Sequence, residues 1–507
     1  MTVPERRRVV LTQSFLYQYG GSEVMTLEVA HALARDGWQV DVVVHGASAE
    51  MTAALTEERG VRLFRTDAPD LAEVIVESPV DVAWIHQQII PEPLLRSPGR
   101  TRFVFNHMSS FHPLEFAWAH RIEAALAGSV LFPAREALEA QVAGGLLGEV
   151  DPARLHVLGN PSPDAFADNP RRPGVSLEKL LLVSNHIPAE LGAALPALRE
   201  RYAVTVVGQQ VELGATPRRV TPELVHAHDA VVTIGKTVQY AIAAGVPVYC
   251  YDHFGGPGWL SDGNVDVAAL HNFSGRGFER RADPADIVDE LGRGYAEARD
   301  AVGRFAHHAP LLGARLREVL ADVREPPAPR IDDRDVVAHL AIQASLGVFT
   351  VMASELEEAR RWYVGHAAEL EDARAQLLAR VSVLEGRVAE LEGGSSTHAA
   401  RVAELEAALA RAEARESELG VAYREARWWV GKHQADADEL RSALSVDEER
   451  IGAALAAAQA LTADLEVARG GVSELTERLA RSEASLHDLE RSRLYRFTKH
   501  ARRRGTS

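Results

Sequence analysis

Short apolar runs alternate with helical stretches from Val9 to about Val323. Val9–Leu11 reads as a buried strand, Thr12–Tyr19 as a loop, and Gly20-Gly21-Ser22-Glu23 as the turn into a helix. In that helix Leu27, Ala30, Leu33 and Ala34 keep helical spacing, and Gly37 stops it. Apolar runs at Val40–Val44, Val82–Ile85, Phe103–Phe105, Val130–Phe132 and Leu155–Leu158 follow, separated by helical segments. Asn169–Ser176, NPRRPGVS, reads as a linker. The alternation restarts at Leu180–Ser184 and Val204–Val207 and runs through Asp229–Leu260, the stretch that organises the second half. That stretch holds an apolar run, Gly235-Lys236-Thr237, a small-residue helix ending at Gly245, a second apolar run, and Asp252-His253-Phe254-Gly255-Gly256. Strands joined by helices build parallel sheets covered on both faces. The pattern predicts an α/β protein of two tandem Rossmann-like, doubly wound domains, residues 1–170 and 176–323.

Beyond Pro326-Pro327-Ala328-Pro329 the apolar period becomes seven. Val381, Val388, Val402 and Leu409 fall at a, and Leu377, Leu384, Leu391 and Leu405 at d. The pattern predicts a linker over 324–341 and a long α-helical coiled coil over 342–490. Gly393-Gly394-Ser395-Ser396 interrupts helix propensity without changing the register, which favours a locally loosened rod over a hairpin. Unbroken, such a rod would span roughly 220 Å. A parallel homodimer is expected; a long helix packed on the domains is the other reading. In the tail, 491–507, seven Arg and Lys residues mix with Leu494, Tyr495 and Phe497. That mixture suits an anionic membrane surface, or simply a solvated end.

Composition narrows the class. At 507 residues and 46% hydrophobic, the chain can build several cores. A net charge of −17 argues against a nucleic-acid partner. The one cysteine, Cys250, lies inside an apolar run, so a disulfide framework or cysteine-ligated metal is excluded and a reducing cytoplasm expected. No apolar run approaches the roughly 18 residues of a membrane span. The run after Arg6-Arg7-Arg8 is too short for a secretory leader. The expectation is a soluble cytoplasmic protein, with peripheral membrane contact through its tail.

Candidate chemistry gathers at predicted strand ends, where ligands of doubly wound sheets bind. Gly20 and Gly21 precede a helix whose N–H groups and dipole favour an anion; a tight turn is the other reading. Lys236 and Thr237 open another helix, where an ammonium, a hydroxyl and N–H groups could meet a phosphate. This is not a P-loop, because Ala230 stands where that motif needs glycine. Gly255 and Gly256 would let a backbone approach a ligand or form a rigid turn, and Arg276 would clamp a phosphate or pair on the surface. His107 and Glu115, in FNHMSSFHPLEF, are candidates for acid–base work.

The segments GGSEVMTLEVAHALARDGWQVDVVV, TIGKTVQYAIAAGVPVYCYDHFGGPGW and HNFSGRGF resemble glycosyltransferases of the GT-B fold, family 4-like, of the bacterial surface-polysaccharide type. The resemblance covers about Val9 to Leu320. It implies a nucleotide-sugar donor held mainly by the second domain, a glycan or lipid-linked acceptor held by the first, and no metal or other cofactor. By analogy the donor pocket takes in Gly20, Gly21, Asn185, His186, Gly235, Lys236, Thr237, Tyr240, Asp252, His253, Gly255, Gly256 and Arg276. Tyr240 stands where the family's ribose-binding glutamate is expected, and Asn185-His186 where an arginine–lysine pair is usual. A non-catalytic scaffold and a nucleotide-sugar 2-epimerase of the same fold are the alternative readings.

Overall fold

The computed structural model describes residues 7–432 apart from 110–111, 169, 171–172, 328–330, 393–400 and 430. The heptads beyond 432 and the basic tail lie outside the described residues. The first sheet holds β1 (Arg8–Leu16), β2 (Gln39–Ala47), β3 (Val61–Arg65), β4 (Val82–His86), β5 (Arg102–Asn106), β6 (Ala127–Phe132) and β7 (Leu155–Val157). They pair in parallel in the order β3-β2-β1-β4-β5-β6-β7. The second holds β8 (Lys179–Val183), β9 (Ala203–Val207), β10 (Ala230–Thr233), β11 (Val248–Asp252) and β12 (Gly255–Trp259), in the order β12-β11-β10-β8-β9. These are the two tandem doubly wound sheets that the alternation predicts.

Strand alternation explains the double burial. Val9, Leu11, Val40, Val42 and Val44 enter the core on one face of the first sheet, and Val10 and Val43 that on the other. In the second sheet Leu181 faces one core, and Leu180 and Leu182 the other. With both faces covered, such strands read as continuous apolar runs. β3, VRLFR, escapes that reading because it is a half-exposed edge strand.

Four features depart from expectation. β12 is an antiparallel edge strand made of GGPGW, where a rigid turn or a close backbone approach to a ligand was expected. A Cβ on Gly256 would lie 2.1 Å from the Cys250 carbonyl, so only glycine lets this strand approach β11. Helix Leu312–Asp322 returns to the first domain: Leu312, Leu316 and Val323 share a core with Val9 and Leu33. The boundary at 323 therefore cuts across the packing. Third, the predicted linker over 324–341 is shorter, because the long helix Asp333–Glu392 begins inside it.

That helix also bears on the membrane expectation. Its first 20 residues, Asp333–Met352, are long and apolar enough to cross a bilayer, with mean hydropathy 1.5. His339, Gln343, Ser345 and Thr350 break the apolar run and hid it. One face is packed on the first domain: Val336, His339 and Gln343 are buried, His339 stacks on Trp118, and Gln343 Oε1 accepts from Ile90 N at 2.8 Å. Val337, Ile342, Val348, Phe349 and Met352 stay exposed.

The fourth departure is the rod. A second helix runs over 401–429 and returns antiparallel along the first. Tyr363 stacks on Trp429 (6.2 Å, 10°) and Arg374 Nε bonds Glu416 Oε1 at 2.9 Å, so advancing on one helix means retreating on the other. The hairpin, not the continuous rod, describes this part of the chain. The stacked pair Tyr363 and Trp429 comes from two similar stretches of sequence, RWYVG from Arg361 and RWWVG from Arg427.

Candidate functional site

Strand order reverses between β1 and β4 in one sheet and between β8 and β10 in the other. Ligand crevices open at the carboxyl ends there. A cleft of about 360 Å³ lies where segments following β1, β8, β10 and β11 meet. It is lined by Gly20, Gly21, Asn185, His186, Gly235, Lys236, Thr237, Tyr240, Asp252 and His253, so most of the predicted donor-pocket residues do come together.

The loops are held from behind. Ser184 Oγ donates to Asp252 (2.9 Å to Oδ2) and accepts from His186 N at 3.1 Å, tying the ends of β8 and β11. A Cβ on Gly208 would lie 1.7 Å from the Ser184 carbonyl, so the residue that follows β9 is glycine and the two backbones can approach. Gly235 caps the Lys236–Ala243 helix at φ 62°, and its N–H bonds the Phe273 carbonyl at 2.8 Å.

Lys236 is not aimed at open solvent. It is buried, with Nζ 2.9 Å from Glu28 Oε2 and 3.0 Å from the Pro161 carbonyl. Glu28 lies on α1 (Gly21–Arg35) of the first domain, so the lysine forms an ion pair between the domains. Tyr240 donates to the same carboxylate and stacks on Phe166 with centroids 4.2 Å apart. Burial and then Glu28 push the Tyr240 hydroxyl's pKa well above its ordinary value, so it stays protonated.

Three predicted donor residues stand elsewhere. Gly255 and Gly256 belong to β12, where they serve strand packing. Arg276 bonds Glu136 with both Nε (3.1 Å) and Nη2 (2.5 Å), and His271 Nδ1 shares that carboxylate at 2.8 Å. Its guanidinium is held by a carboxylate of the first domain.

The two acid–base candidates are also corrected. His107 is buried, with Nε2 2.9 Å from Glu123 Oε1 and Nδ1 2.6 Å from the Glu115 carbonyl. Burial is the largest effect and opposes its charged form, but Glu123 and Glu115 together outweigh it and raise its pKa. Glu115 accepts from Met108 N (2.8 Å) and Gln87 Nε2 (2.9 Å). Both belong to a buried polar network and neither lines the cleft. Gln87 and Gln88, which serve that network, sit at φ 50° and 56°, backbone strain of about 1–3 kcal/mol each.

Two residues with better placement went unread. Glu23 does not itself line the cleft but is buried directly behind it: a Cβ on the lining residue Gly20 would lie 2.3 Å from Glu23 Oε2, and Ser22 Oγ donates to that oxygen at 2.9 Å. Burial raises its pKa to about 7. The signal was available: an acid in the first turn of a helix that follows a strand end. Arg218, exposed at the rim, lines the cleft from the segment after β9. Among the described residues Asp266, His307 and His308 converge closely enough for an ion, but none of them lines the cleft.

The chain matches no protein-family model and no curated protein. Its fold is similar to several solved structures. Anabaena Alr3699/HepE, in complex with UDP and glucose, is 16% identical over 62% of this chain and 99% of that one, with TM-score 0.35. Spinosyn forosaminyltransferase SpnP is 15% identical over 62% and 100%, with TM-score 0.34. A UDP-N-acetylglucosamine 2-epimerase is 14% identical over 58% and 94%, with TM-score 0.31. At such values the fold assignment rests on this chain's own strand order.

Proposed function

We propose that this chain is a glycosyltransferase that moves a sugar from a nucleotide-sugar donor to a growing cell-surface glycan. The observation that carries this reading is the cleft, in which the glycine turn after β1 faces the Gly235-Lys236-Thr237 helix start. In the transfer an acceptor oxygen bonds the sugar's anomeric carbon as that carbon's bond to the diphosphate oxygen breaks. The nucleoside diphosphate leaves, and the acceptor's proton passes to a base. Arg218, His186 and the first-turn N–H groups of the Lys236–Ala243 helix take the diphosphate charge, and Glu23 takes the proton. No metal is required in this scheme. The helical hairpin and the chain after it would serve dimerisation or assembly, and the basic tail contact with the inner membrane surface.

Titration of the full chain with UDP-, GDP- and dTDP-sugars tests the reading. Binding of one of them, weakened about tenfold by Arg218→Ala, is expected for loss of one charge-assisted contact. The Glu28–Lys236–Tyr240 group favours a second reading, a non-catalytic scaffold, because it turns Lys236 and Tyr240 from the cleft to a carboxylate of the first domain. Absence of binding to every nucleotide sugar would establish that scaffold instead. Interconversion of the donor sugar without an acceptor would point to an epimerase.

A further inference from the structure

A further cavity, of about 350 Å³, is lined by Gln239, Asp266, Asn272, Phe273 and His308 of the second domain, together with Pro133 and Gly159 of the first. The donor cleft shares none of these residues. His307 joins Asp266 and His308 beside it: one ligand atom from each of the three lies within 4.8 Å of the other two. The two histidines end the 3-10 helix Val302–His308, and Asp266 stands in the first turn of the helix Val265–Leu270.

Consecutive side chains of a 3-10 helix point about 120° apart. The His307 and His308 rings nevertheless lie with centroids 3.9 Å apart, inclined at 41°. His308 Nε2 is buried 3.1 Å from Asp266 Oδ1, yet the two do not align as a hydrogen bond. An ion pair of His308 with Asp266 accounts for that distance. It accounts neither for the misalignment nor for the second imidazole.

The cavity carries two further signs of a ligand. Gln239 is 3% exposed, and its Oε1 finds no hydrogen-bond partner among the described residues. A buried amide oxygen is costly to leave without a donor, and water held in the cavity supplies one. Asn272 and Phe273 line the same space at φ 55° and 53°, a left-handed backbone that non-glycine residues rarely adopt and that gathers at functional sites. Two imidazoles and a carboxylate are the donors of an open zinc centre, which takes three protein ligands and a water. Calcium and magnesium prefer oxygen ligands and would find one carboxylate here. Donor atoms of a tetrahedral zinc site stand about 3.4 Å apart, so the three side chains need to close by roughly 1 Å. Asp266 and His307 are exposed and can move that far.

We propose that Asp266, His307 and His308 bind a single divalent cation of the zinc class, with water on its remaining position. The ion would tie the helix Val265–Leu270 to the point where the chain re-enters the first domain. Just after His308, the Pro310 carbonyl accepts from Ser162 N at 2.9 Å, and Leu312 N donates to the Ser162 carbonyl at 2.8 Å. The site is separate from the donor cleft, whose scheme calls for no metal.

Calorimetric titration of the chelator-treated full chain with ZnCl₂ tests the proposal. One saturable site per chain is expected, which Mg²⁺ at equal concentration does not displace. Co²⁺ in the same site should show the visible d–d bands of a tetrahedral nitrogen–oxygen complex. His307→Ala and Asp266→Asn should each weaken zinc binding at least tenfold. Both side chains are exposed, so the metal-free variants should unfold at the parent's urea midpoint. His156→Ala removes a histidine that faces Asp322 at 3.8 Å with no third ligand among the described residues, and should leave binding unchanged. Full binding in His307→Ala, equal loss in His156→Ala, or displacement of Zn²⁺ by Mg²⁺ overturns the proposal. No nucleotide sugar is present, so the outcome is independent of the transferase reading.

Discussion

Glu28 sits at the centre of a buried polar group that spans the two domains, taking the Lys236 ammonium on one oxygen and the Tyr240 hydroxyl on the other. Removing one partner of a buried pair leaves an uncompensated charge, at a cost of about 3–5 kcal/mol. Lys236→Ala should therefore lower unfolding stability by that order in urea titration. Lys236→Met combined with Glu28→Gln should recover most of it. An unchanged stability for Lys236→Ala would mean the pair is not formed in solution. Glu23 makes a pH prediction. Its carboxyl is raised from 4.5 to about 7 by burial, so the folded state holds this proton more tightly than the unfolded chain. The associated stability is full below about pH 4.5, falls between 4.5 and 7, and is gone above; the total is about 3 kcal/mol. Glu23→Gln should lack this fall, so its stability relative to the parent rises from pH 5 to pH 8 in denaturant titrations. If Glu23 is the base, turnover of the parent rises through pH 7, where the carboxylate forms, and the Gln variant loses it.

At the scale of elements, β12 is the instructive case. Its glycines look like a turn because strand propensity disfavours them, yet backbone crowding against Cys250 and Arg280 requires them. Pro257 is tolerated because the strand lies at the edge of its sheet. Gly256→Ala would push β12 off β11 and should destabilise by about 1–3 kcal/mol, as overpacking does. Thermal unfolding of that variant checks it, with Gly21→Ala as a control where a Cβ meets nothing within 4 Å.

At the scale of the whole molecule, the chain is stitched across its own domains. Helix Leu312–Asp322 returns to the first core, Glu136 of the first domain holds Arg276, and Glu28 holds Lys236. The hairpin is the large-scale claim most open to measurement. Spin labels at 374 and 416 would be about 63 Å apart in a continuous helix, since they are 42 residues apart in sequence. In the hairpin they adjoin, and a distance below about 20 Å within one chain is expected. A long distance would restore the rod.

Hydrophobic periodicity by itself determined the parallel strands of the two sheets other than β3, and their order in the chain, because burial on both faces writes itself as runs of Val, Leu and Ile. The meeting of the loops was an implication of the family resemblance rather than of periodicity, and ten of the thirteen residues it implied line one cleft. What a charged side chain does there was not local information. Lys236 and Arg276 looked like phosphate ligands because each sits beside glycine at a helix or strand end. Their carboxylates, Glu28 and Glu136, lie far away in sequence and only the packing of the domains brings them near. The same holds for His107 and Glu115, whose spacing suggests chemistry while their surroundings are a closed network. A heptad pattern is equally compatible with a rod and a hairpin, since both keep one apolar stripe buried. Tertiary contact alone, Tyr363 on Trp429 and Arg374 on Glu416, decided which.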